Sequence, residues 1–288
     1  MSARFGPAGN CESFQKQFRS SVQAPAFLAA MGLDAYEYQC GRGVNISEET
    51  CRAIGDEARI HGVQMSLHAP YFINLSSDEP ERMEKNIGYI LASCRTVLAL
   101  GGERIVVHCG GLSKRTRDEA MANTHENLRR ALRAMDEQDC GRAVLCIETM
   151  GKVNVLGDLA EVIEICRADE RLLPCIDFGH LNARTQGGLR EAGAMRMLFA
   201  QLENGIGRER TARFHAHFSK IEYSAGGEVR HLTLSDHIYG PEFDEIAEVI
   251  ARRNWSPTIV CESAGTQAED AVVLQQIYRN HRENEKEG

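Results

Sequence analysis

The stretch LLPCIDFG at residues 172–179 is a short, almost continuously apolar run that leads into an aspartate and a glycine. Strands that are covered on both faces of a parallel sheet have this composition. Seven further runs of this kind occur, at residues 3–8, 36–39, 64–69, 104–110, 143–150, 213–219 and 258–263. Apolar residues at helical spacing fill gaps between the runs, for example at residues 86–100. The alternation predicts an α/β fold, a (β/α)8 TIM barrel.

A doubly wound open sheet has the same alternation of strands and helices and is the alternative architecture. We favour the barrel because no GxGxxG motif follows the first predicted strand. No low-complexity segment or linker divides the chain. We therefore expect one barrel domain over residues 1–288.

The composition is that of an ordinary globular protein, with 43% hydrophobic and 26% charged residues. The formal net charge of −8 argues against binding to polyanions by general electrostatic attraction. A local basic rim remains compatible with an acidic protein. The charge therefore limits how the chain binds nucleic acid but does not exclude it.

Ten cysteines are spread along the chain without a CxxC pair, which favours free thiols over a disulfide framework. The first residues lack the apolar core of a signal peptide. No apolar run approaches the roughly 18 residues of a membrane helix. We expect a cytoplasmic monomer that does not bind membranes.

Metal-binding residue types recur at the ends of the predicted strands. They are His68, His108, Glu148, Asp177 with His180 after it, His215 within the seventh strand, and Glu262. Taken alone, a residue at such a place more often caps a helix or makes a hydrogen bond within a loop than binds a metal. The C-terminal ends of barrel strands, however, converge on one mouth. Several carboxylates buried there need cations to balance their charge, so the pattern predicts a metal site.

The residue types also restrict the metal. Imidazoles and carboxylates without thiolates suit zinc or manganese. Cys109 follows His108 directly and should point to the opposite face of the strand. The candidate ligands are too many for one ion and suit two or three, with Glu148 near the centre as a bridge.

Six motifs follow one another along the chain, namely HAPYFINL (68–75), VVHCGG (106–111), CIET (146–149), IDFGHLNAR (176–184), HAHFSK (215–220) and CES (261–263). In this order and spacing they resemble the endonuclease IV family of apurinic/apyrimidinic endonucleases, within the xylose isomerase-like TIM-barrel superfamily. The resemblance extends over most of the chain from about residue 35. It implies a zinc-dependent DNA repair enzyme that hydrolyses the phosphodiester on the 5′ side of an abasic site.

The resemblance implies three zinc sites. The ligands of the first would be His68, His108 and Glu148, and those of the second Glu148, Asp177, His215 and Glu262. The third would use His180 and His231. Glu148 or Glu262 would help to position or deprotonate the nucleophile.

The resemblance also indicates DNA contacts. Tyr71 and Phe72 match an aromatic–apolar pair that the family inserts at the abasic site, as a duplex-opening enzyme requires. The alternative is a hydrophobic loop packed on a neighbouring helix. Arg42, in the loop after the second strand, is a further candidate for a DNA contact.

The third site departs from the family pattern. Val229 stands where the family has an aspartate, and the neighbouring Glu228 should be turned away by the alternation of a strand. Asp236 and His237 are possible replacements. So is His217, which shares a strand face with His215.

A sugar isomerase or epimerase of the same superfamily is the alternative function. One divalent ion would then be held by Glu148, Asp177, His215 and Glu262, and the two glutamates would move a proton through an enediolate. Val229 and the charge of −8 favour this alternative. His68, His108 and the pair of aromatic residues favour the nuclease. A non-catalytic binding module would not need such converging carboxylates.

Overall fold

The computed structural model describes residues 2–287, and eight of the strands in this range form one parallel sheet. In chain order they are β1 (Arg4–Pro7), β2 (Ala35–Gln39), β3 (Gln64–His68), β4 (Arg104–Val107), β5 (Val144–Glu148), β6 (Leu173–Asp177), β7 (His215–Phe218) and β10 (Thr258–Cys261). Each overlaps one of the eight predicted runs. Their spatial order is β1-β10-β7-β6-β5-β4-β3-β2. The prediction of a TIM barrel is confirmed, and the open doubly wound sheet is excluded.

The barrel closes between β1 and β2. A single parallel bridge joins Ala8 to Glu37 across this seam. Gly6 permits the close approach, because a Cβ atom there would lie only 1.7 Å from the carbonyl oxygen of Ala35. The eight strands thus surround a common interior, and the candidate site lies at the end of this interior where the strands have their C-termini.

Helices cover the outside of the sheet. They are α1 (Glu12–Gln17), α2 (Ala24–Ala30), α3 (Glu48–His61), α4 (Pro80–Ala99), α5 (Arg117–Glu137), α6 (Leu159–Arg167), α7 (Phe178–Arg184), α8 (Ala194–Ile206), α9 (Arg208–Thr211), α10 (Asp244–Arg253) and α11 (Gln267–Glu287). Short 3-10 turns occur at Ser21–Gln23 and Gly188–Arg190. No helix in the described range is long and apolar enough to cross a membrane.

The main core lies between the sheet and the helices. Helix α4 shows how it forms, because Ile87, Ile90, Leu91, Cys94 and Val97 recur at helical spacing and are buried against the sheet. Each fully buried aliphatic side chain contributes about 1.5–3 kcal/mol. This outer core fixes the directions of the strands, and therefore where their C-terminal ends meet.

A small apolar cluster fills part of the barrel interior and includes Val106, Cys146, Leu173 and Cys175. All ten cysteines of the chain are buried and free, as the sequence predicts. Polar side chains occupy the rest of the interior towards the mouth. The interior is therefore far less apolar than the outer core.

A two-stranded hairpin outside the barrel is the feature that the strand prediction missed. Strands β8 (Ile221–Ser224) and β9 (Gly227–His231) pair antiparallel after β7. An isolated bridge between Lys152 and Gly227 ties the hairpin to the loop after β5. Gly227 lies in the left-handed region with φ of 94°, and a Cβ atom there would be 2.1 Å from the carbonyl oxygen of Gly151. This close approach places the hairpin at the barrel mouth.

Candidate metal centre

The C-terminal ends of the strands surround a cavity of about 590 Å³. Ionisable side chains line it or lie directly beneath it, namely His68, His108, Glu148, Asp177, His180, His217, Glu228, His231 and Glu262. Four sets of these bring their nitrogen and oxygen atoms within 4.8 Å of one another. Three of them are called here the first, second and third groups, and the fourth, His68, His217 and Glu262, joins members of the first and second. The groups adjoin one another at a single mouth.

The first group consists of His68, His108 and Glu148. The Nε2 atoms of His68 and His108 lie 3.3 and 2.9 Å from Oε2 of Glu148. The Nδ1 atom of His68 is 2.8 Å from the carbonyl oxygen of Ala69, which can only accept, so Nδ1 carries the donated proton. Oε2 of Glu148 is buried and has no hydrogen-bond partner, since neither nearby nitrogen meets it in hydrogen-bond geometry.

The second group consists of Glu148, Asp177, His217 and Glu262. The Nδ1 atom of His217 is 3.2 Å from Oε1 of Glu148 and 3.5 Å from Oε1 of Glu262. Asp177 caps helix α7 by accepting from the backbone N–H of His180 at 2.7 Å through Oδ1. Its other oxygen, Oδ2, is buried without a hydrogen bond, although Nδ1 of His180 lies 3.2 Å away.

The expected place of His215 in the second group needs correction. His215 and His217 share the inward face of β7, but the strand register sets Asp177 beside His217 and Cys175 beside His215. His215 therefore lies one level deeper, with Nε2 at 2.8 Å from Oε2 of Glu37. His217 occupies the position that the sequence analysis gave to His215.

The third group consists of His180, Glu228 and His231. The Nε2 atom of His180 is 3.3 Å from Oε2 of Glu228, and its Nδ1 atom is 3.0 Å from the carbonyl oxygen of Thr149. The ring centroids of His180 and His231 are 5.7 Å apart. Nδ1 of His231 lies 2.8 Å from Oγ of Ser219. Helix α7 and the hairpin together thus supply the third group.

A β-bulge explains why Glu228 faces the site although the alternation of a strand predicts the opposite. Arg230 pairs with Glu222, but Glu228 pairs with Tyr223, so Val229 is an extra residue without a partner. The slip turns Glu228 to the side of His231 and leaves Val229 53% exposed. The expectation that Glu228 points away was wrong.

Asp236 and His237, which were also considered as replacements for Val229, do not reach the site, and His217 belongs to the second group. Oδ1 of Asp236 accepts the backbone N–H groups of Ile238 and Tyr239 at 2.9 and 2.7 Å, which closes a turn. His237 is exposed in the same turn. Within residues 2–287 neither side chain belongs to a group of candidate ligands.

Burial and mutual contact move the pKa values at the mouth in opposite directions. Burial alone would raise the pKa of Glu148, but the neighbouring His108 and His217 outweigh it and hold that pKa well below its usual range. Burial lowers the pKa of His68, yet the nearby carboxylate of Glu148 raises it to about 9. Burial raises the pKa of Asp177. Protons on the histidines thus balance the carboxylates, and a bound cation would displace them.

These residues fit divalent metal ions. Zinc–ligand bonds to nitrogen and oxygen of roughly 2.0–2.1 Å place neighbouring ligand atoms about 3.3 Å apart in a tetrahedral site. The contacts of His68, His180 and His217 with glutamate oxygens, at 3.2–3.5 Å, have this spacing. The unpartnered oxygens of Glu148 and Asp177 point to the same conclusion, because buried polar atoms normally have a partner.

Tyr71 and Phe72 lie in the loop after β3 and line the cavity. Tyr71 is 61% exposed, whereas Phe72 packs edge-on against Tyr89 of helix α4 at 4.9 Å between ring centroids. The ring of Tyr71 lies edge-on to that of Phe72 at 5.7 Å between centroids, so the more exposed ring of the pair rests on the anchored one. Arg42 is exposed in the neighbouring loop, whose Gly41 accepts the backbone N–H of Tyr71 at 3.1 Å.

Glu37 is the buried residue at this site that the sequence analysis missed. It is 0% exposed in the middle of β2, and its carboxylate contacts both His215 and His217. Burial alone would raise its pKa, but the two histidines hold that pKa well below its usual range. A glutamate inside the apolar run YEYQ was the available signal, because a charge buried there needs partners.

The family model described as xylose isomerase-like TIM barrel matches residues 25–280. The chain belongs to the xylose isomerase-like TIM barrel family. Two relatives show this family likeness over most of the chain. An uncharacterised protein of Methanocaldococcus jannaschii is 30% identical over 274 residues, which cover 95% of this chain and 96% of that protein. A probable endonuclease 4 of Mycoplasma pneumoniae is 25% identical over 244 residues, 81% of this chain and 78% of that protein.

Two solved structures resemble this one to similar degrees. A D-tagatose 3-epimerase-like protein matches with a TM-score of 0.66 and 22% identity, covering 89% of this chain and 91% of its own. Endonuclease IV from Thermus thermophilus matches with a TM-score of 0.65 and 22% identity, covering 92% and 94%. These likenesses support the fold and do not separate the two reactions.

Proposed function

We propose that the protein is a metal-dependent phosphodiesterase of the endonuclease IV type, which cleaves DNA at abasic sites. The observation that carries the proposal is the meeting of three groups of candidate ligands at one mouth, with Glu148 shared by two of them. A sugar isomerase or epimerase would use the one ion that the second group can hold, and that reaction leaves the first and third groups without an ion to bind.

The relative of Mycoplasma pneumoniae, named a probable endonuclease 4, supports the same proposal. We propose zinc as the metal, with two or three ions, and manganese as a possible substitute, because the donor atoms are imidazole nitrogens and carboxylate oxygens. Bound ions would polarise the phosphate and lower the pKa of a water molecule. The proposed substrate is DNA.

The two glutamates have different places and therefore different proposed roles. The side chain of Glu148 is 1% exposed and belongs to two groups, so we assign it to holding ions. The side chain of Glu262 is 15% exposed and lines the cavity, with Oε1 at 3.5 Å from His217 and Oε2 at 3.9 Å from His231. Glu262 is therefore the better candidate to orient a water molecule in the cavity and accept its proton.

We propose that Tyr71 inserts at the abasic site. Its exposed ring can stack on a base that the missing nucleotide leaves uncovered, while Phe72 is fixed against Tyr89. Arg42 is proposed as a phosphate contact because of its exposure beside the same loop. Such local contacts are compatible with a net charge of −8.

The experiment is cleavage of a duplex that contains a tetrahydrofuran abasic analogue, with zinc or manganese supplied and an intact duplex as the substrate control. We expect cleavage on the 5′ side of the analogue. Glu262→Gln should lower the rate about 100- to 10,000-fold, since it removes a general base. Glu245→Gln, which changes an exposed glutamate of α10, is the matched control and should leave the rate unchanged.

A sugar epimerase is the second candidate, favoured by the second group alone and by the acidic net charge. No cleavage of the abasic duplex, together with metal-dependent proton exchange on a ketose that Glu262→Gln abolishes, would replace the nuclease proposal by this one.

The role of Tyr71 has a separate test. Tyr71→Ala should raise KM for the abasic duplex about ten-fold, since one stacked base contributes about 1–3 kcal/mol. Metal content should not change. Met197→Ala is the control, because it also removes an exposed apolar side chain, in this case one on helix α8. An unchanged KM in Tyr71→Ala would contradict the stacking role.

A further inference from the structure

Below the mouth, Glu37 is surrounded by hydrogen-bond donors. Its Oε1 atom accepts from Nε2 of His217 and from Nε2 of Gln39, both at 3.1 Å. Its Oε2 atom accepts from Nε2 of His215 at 2.8 Å and from the hydroxyl of Ser66 at 3.3 Å. Each oxygen therefore has two donors, and the carboxylate is fixed in one orientation although it has no contact with solvent.

His217 connects this buried carboxylate to the second group. Its Nε2 atom faces Glu37, and its Nδ1 atom faces Glu148 and Glu262 at 3.2 and 3.5 Å. Among the residues that the structure describes, Glu37 is the one hydrogen-bond partner of Nε2 of His217. In a neutral imidazole, a proton on Nε2 leaves Nδ1 with a free lone pair directed at the second group.

We propose that Glu37 is a positioning residue of the metal centre, which holds the proton of His217 on Nε2 so that Nδ1 is free to bind an ion. The inference rests on the metal-binding part of the proposed function and applies equally to a nuclease and an epimerase. A histidine ligand normally donates its second ring N–H to a carboxylate or carbonyl, which fixes its tautomer and raises its basicity.

His215 has a supporting part in this arrangement. The Nε2 atom of His215 donates to Oε2 of Glu37 at 2.8 Å. That donor holds Oε2 of Glu37, and Oε1 is thereby left to face His217. The same contact explains why the deeper histidine of β7 is retained inside the barrel without joining the second group.

The test compares Glu37→Gln and Glu37→Asp with the wild-type chain by titration of the metal-free protein with zinc against a chromogenic chelator. We expect the affinity of the second group to fall 10- to 100-fold in Glu37→Gln, the usual effect of losing such a partner. Glu37→Asp keeps the charge and should recover part of it. The affinity of the third group serves as the internal standard and should not change.

Ser66→Ala is the matched control, because it removes only the 3.3 Å bond to Oε2 and leaves the bonds of His217 intact. We expect less than a three-fold change in zinc affinity for this variant. A loss as large as that of Glu37→Gln would show that any disturbance of the interior weakens binding, and would overturn the specific role of Glu37.

Nitrogen-15 NMR of labelled histidines in the zinc-loaded wild-type protein gives a readout that does not depend on the folding of a variant. We expect His217 with a proton on Nε2 and zinc on Nδ1. The opposite tautomer, or an affinity of Glu37→Gln equal to that of the wild type, overturns the inference. A wild-type protein that binds no zinc refutes instead the metal-binding part of the proposed function.

Discussion

Glu148 and Glu161, which lie between the start of β5 and the end of α6, are glutamates in opposite states. Glu161, in the first turn of α6, accepts from the backbone N–H groups of Gly157 and Asp158 at 2.8 and 2.9 Å. It also accepts from Nε and Nη2 of Arg117 at 2.6 and 2.7 Å. Glu148, at the end of β5, has a buried oxygen without any hydrogen bond, although two imidazole nitrogens lie close to it.

The difference separates a carboxylate that stabilises the fold from one that is arranged for binding. The donors around Glu161 are directed at its oxygens, so burial costs little and the helix is capped. At Glu148, imidazoles and carboxylates face one another around a common space, and their charges are balanced without full hydrogen bonding. Three substitutions test this comparison.

Glu148→Gln should have the largest effect. It removes the ligand shared by the first and second groups, so we expect the loss of about two ions and a fall in abasic-site cleavage of about 1,000-fold, equivalent to roughly 4 kcal/mol. Metal analysis of the purified variant measures the first effect. In metal-free protein the same change should lower Tm, because it leaves the imidazoles around Glu148 without their buried counter-charge. Full metal content would contradict the assignment.

Glu228→Ala should have a smaller and more local effect. We expect the affinity for one ion to fall at least about 100-fold, while the other ions stay bound. This exceeds the effect of losing a residue that only hydrogen-bonds to a metal ligand. Val229→Asp in the same background should not restore binding, since residue 229 points to solvent at the bulge. If Val229→Asp restored binding, the direction of the side chains in β9 would follow the alternation of a regular strand and not the bulge.

Glu161→Gln should affect stability and not metal content. Hydrogen bonds to a charged group contribute about 1.5–3 kcal/mol each, so we expect a loss of about 2 kcal/mol in the free energy of unfolding at pH 7. Chemical denaturation measures it, and zinc stoichiometry is the control. An equal loss of metal would contradict the separation of the two regions.

The effect of Glu161→Gln should also depend on pH. Burial raises the pKa of Glu161, but the hydrogen bonds from Arg117 and from two backbone N–H groups outweigh it and hold the pKa below its ordinary value of 4.5. A lowered pKa stabilises the fold above that value, and this stabilisation disappears as the pH falls through the folded-state pKa. The difference between wild type and Glu161→Gln should therefore shrink below about pH 4.5.

The strands could be predicted because barrel strands are buried on both faces and read as short apolar runs. His68, His108 and Glu262 could be predicted for the same reason, since each follows such a run directly. Strand alternation predicts that His215 and His217 share the inward face of β7. It does not predict which of the two lies nearer the mouth of the barrel. Depth depends on the register between neighbouring strands, which involves residues distant in sequence, as in the pairing of Asp177 with His217.

Glu37 was missed and Glu228 was wrongly expected to point away, for two different reasons. Glu37 lies in the middle of a strand, whereas the predicted ligands were taken from strand ends. Glu228 depends on a bulge, which shifts every side chain before it to the other face without a marked change in composition. The segment SAGGEV at 224–229 does contain a hairpin signal, two glycines between strand-forming residues, but not the position of the extra residue.

The hairpin also has a consequence for the order in which ions would enter and leave. The first and second groups are built on strands of a closed barrel, whereas the third has Glu228 and His231 on a two-stranded ribbon outside it. A two-stranded ribbon opens more readily than a barrel. We therefore expect the third ion to be taken up last and withdrawn first, so that limited chelation yields a form that has lost this ion alone.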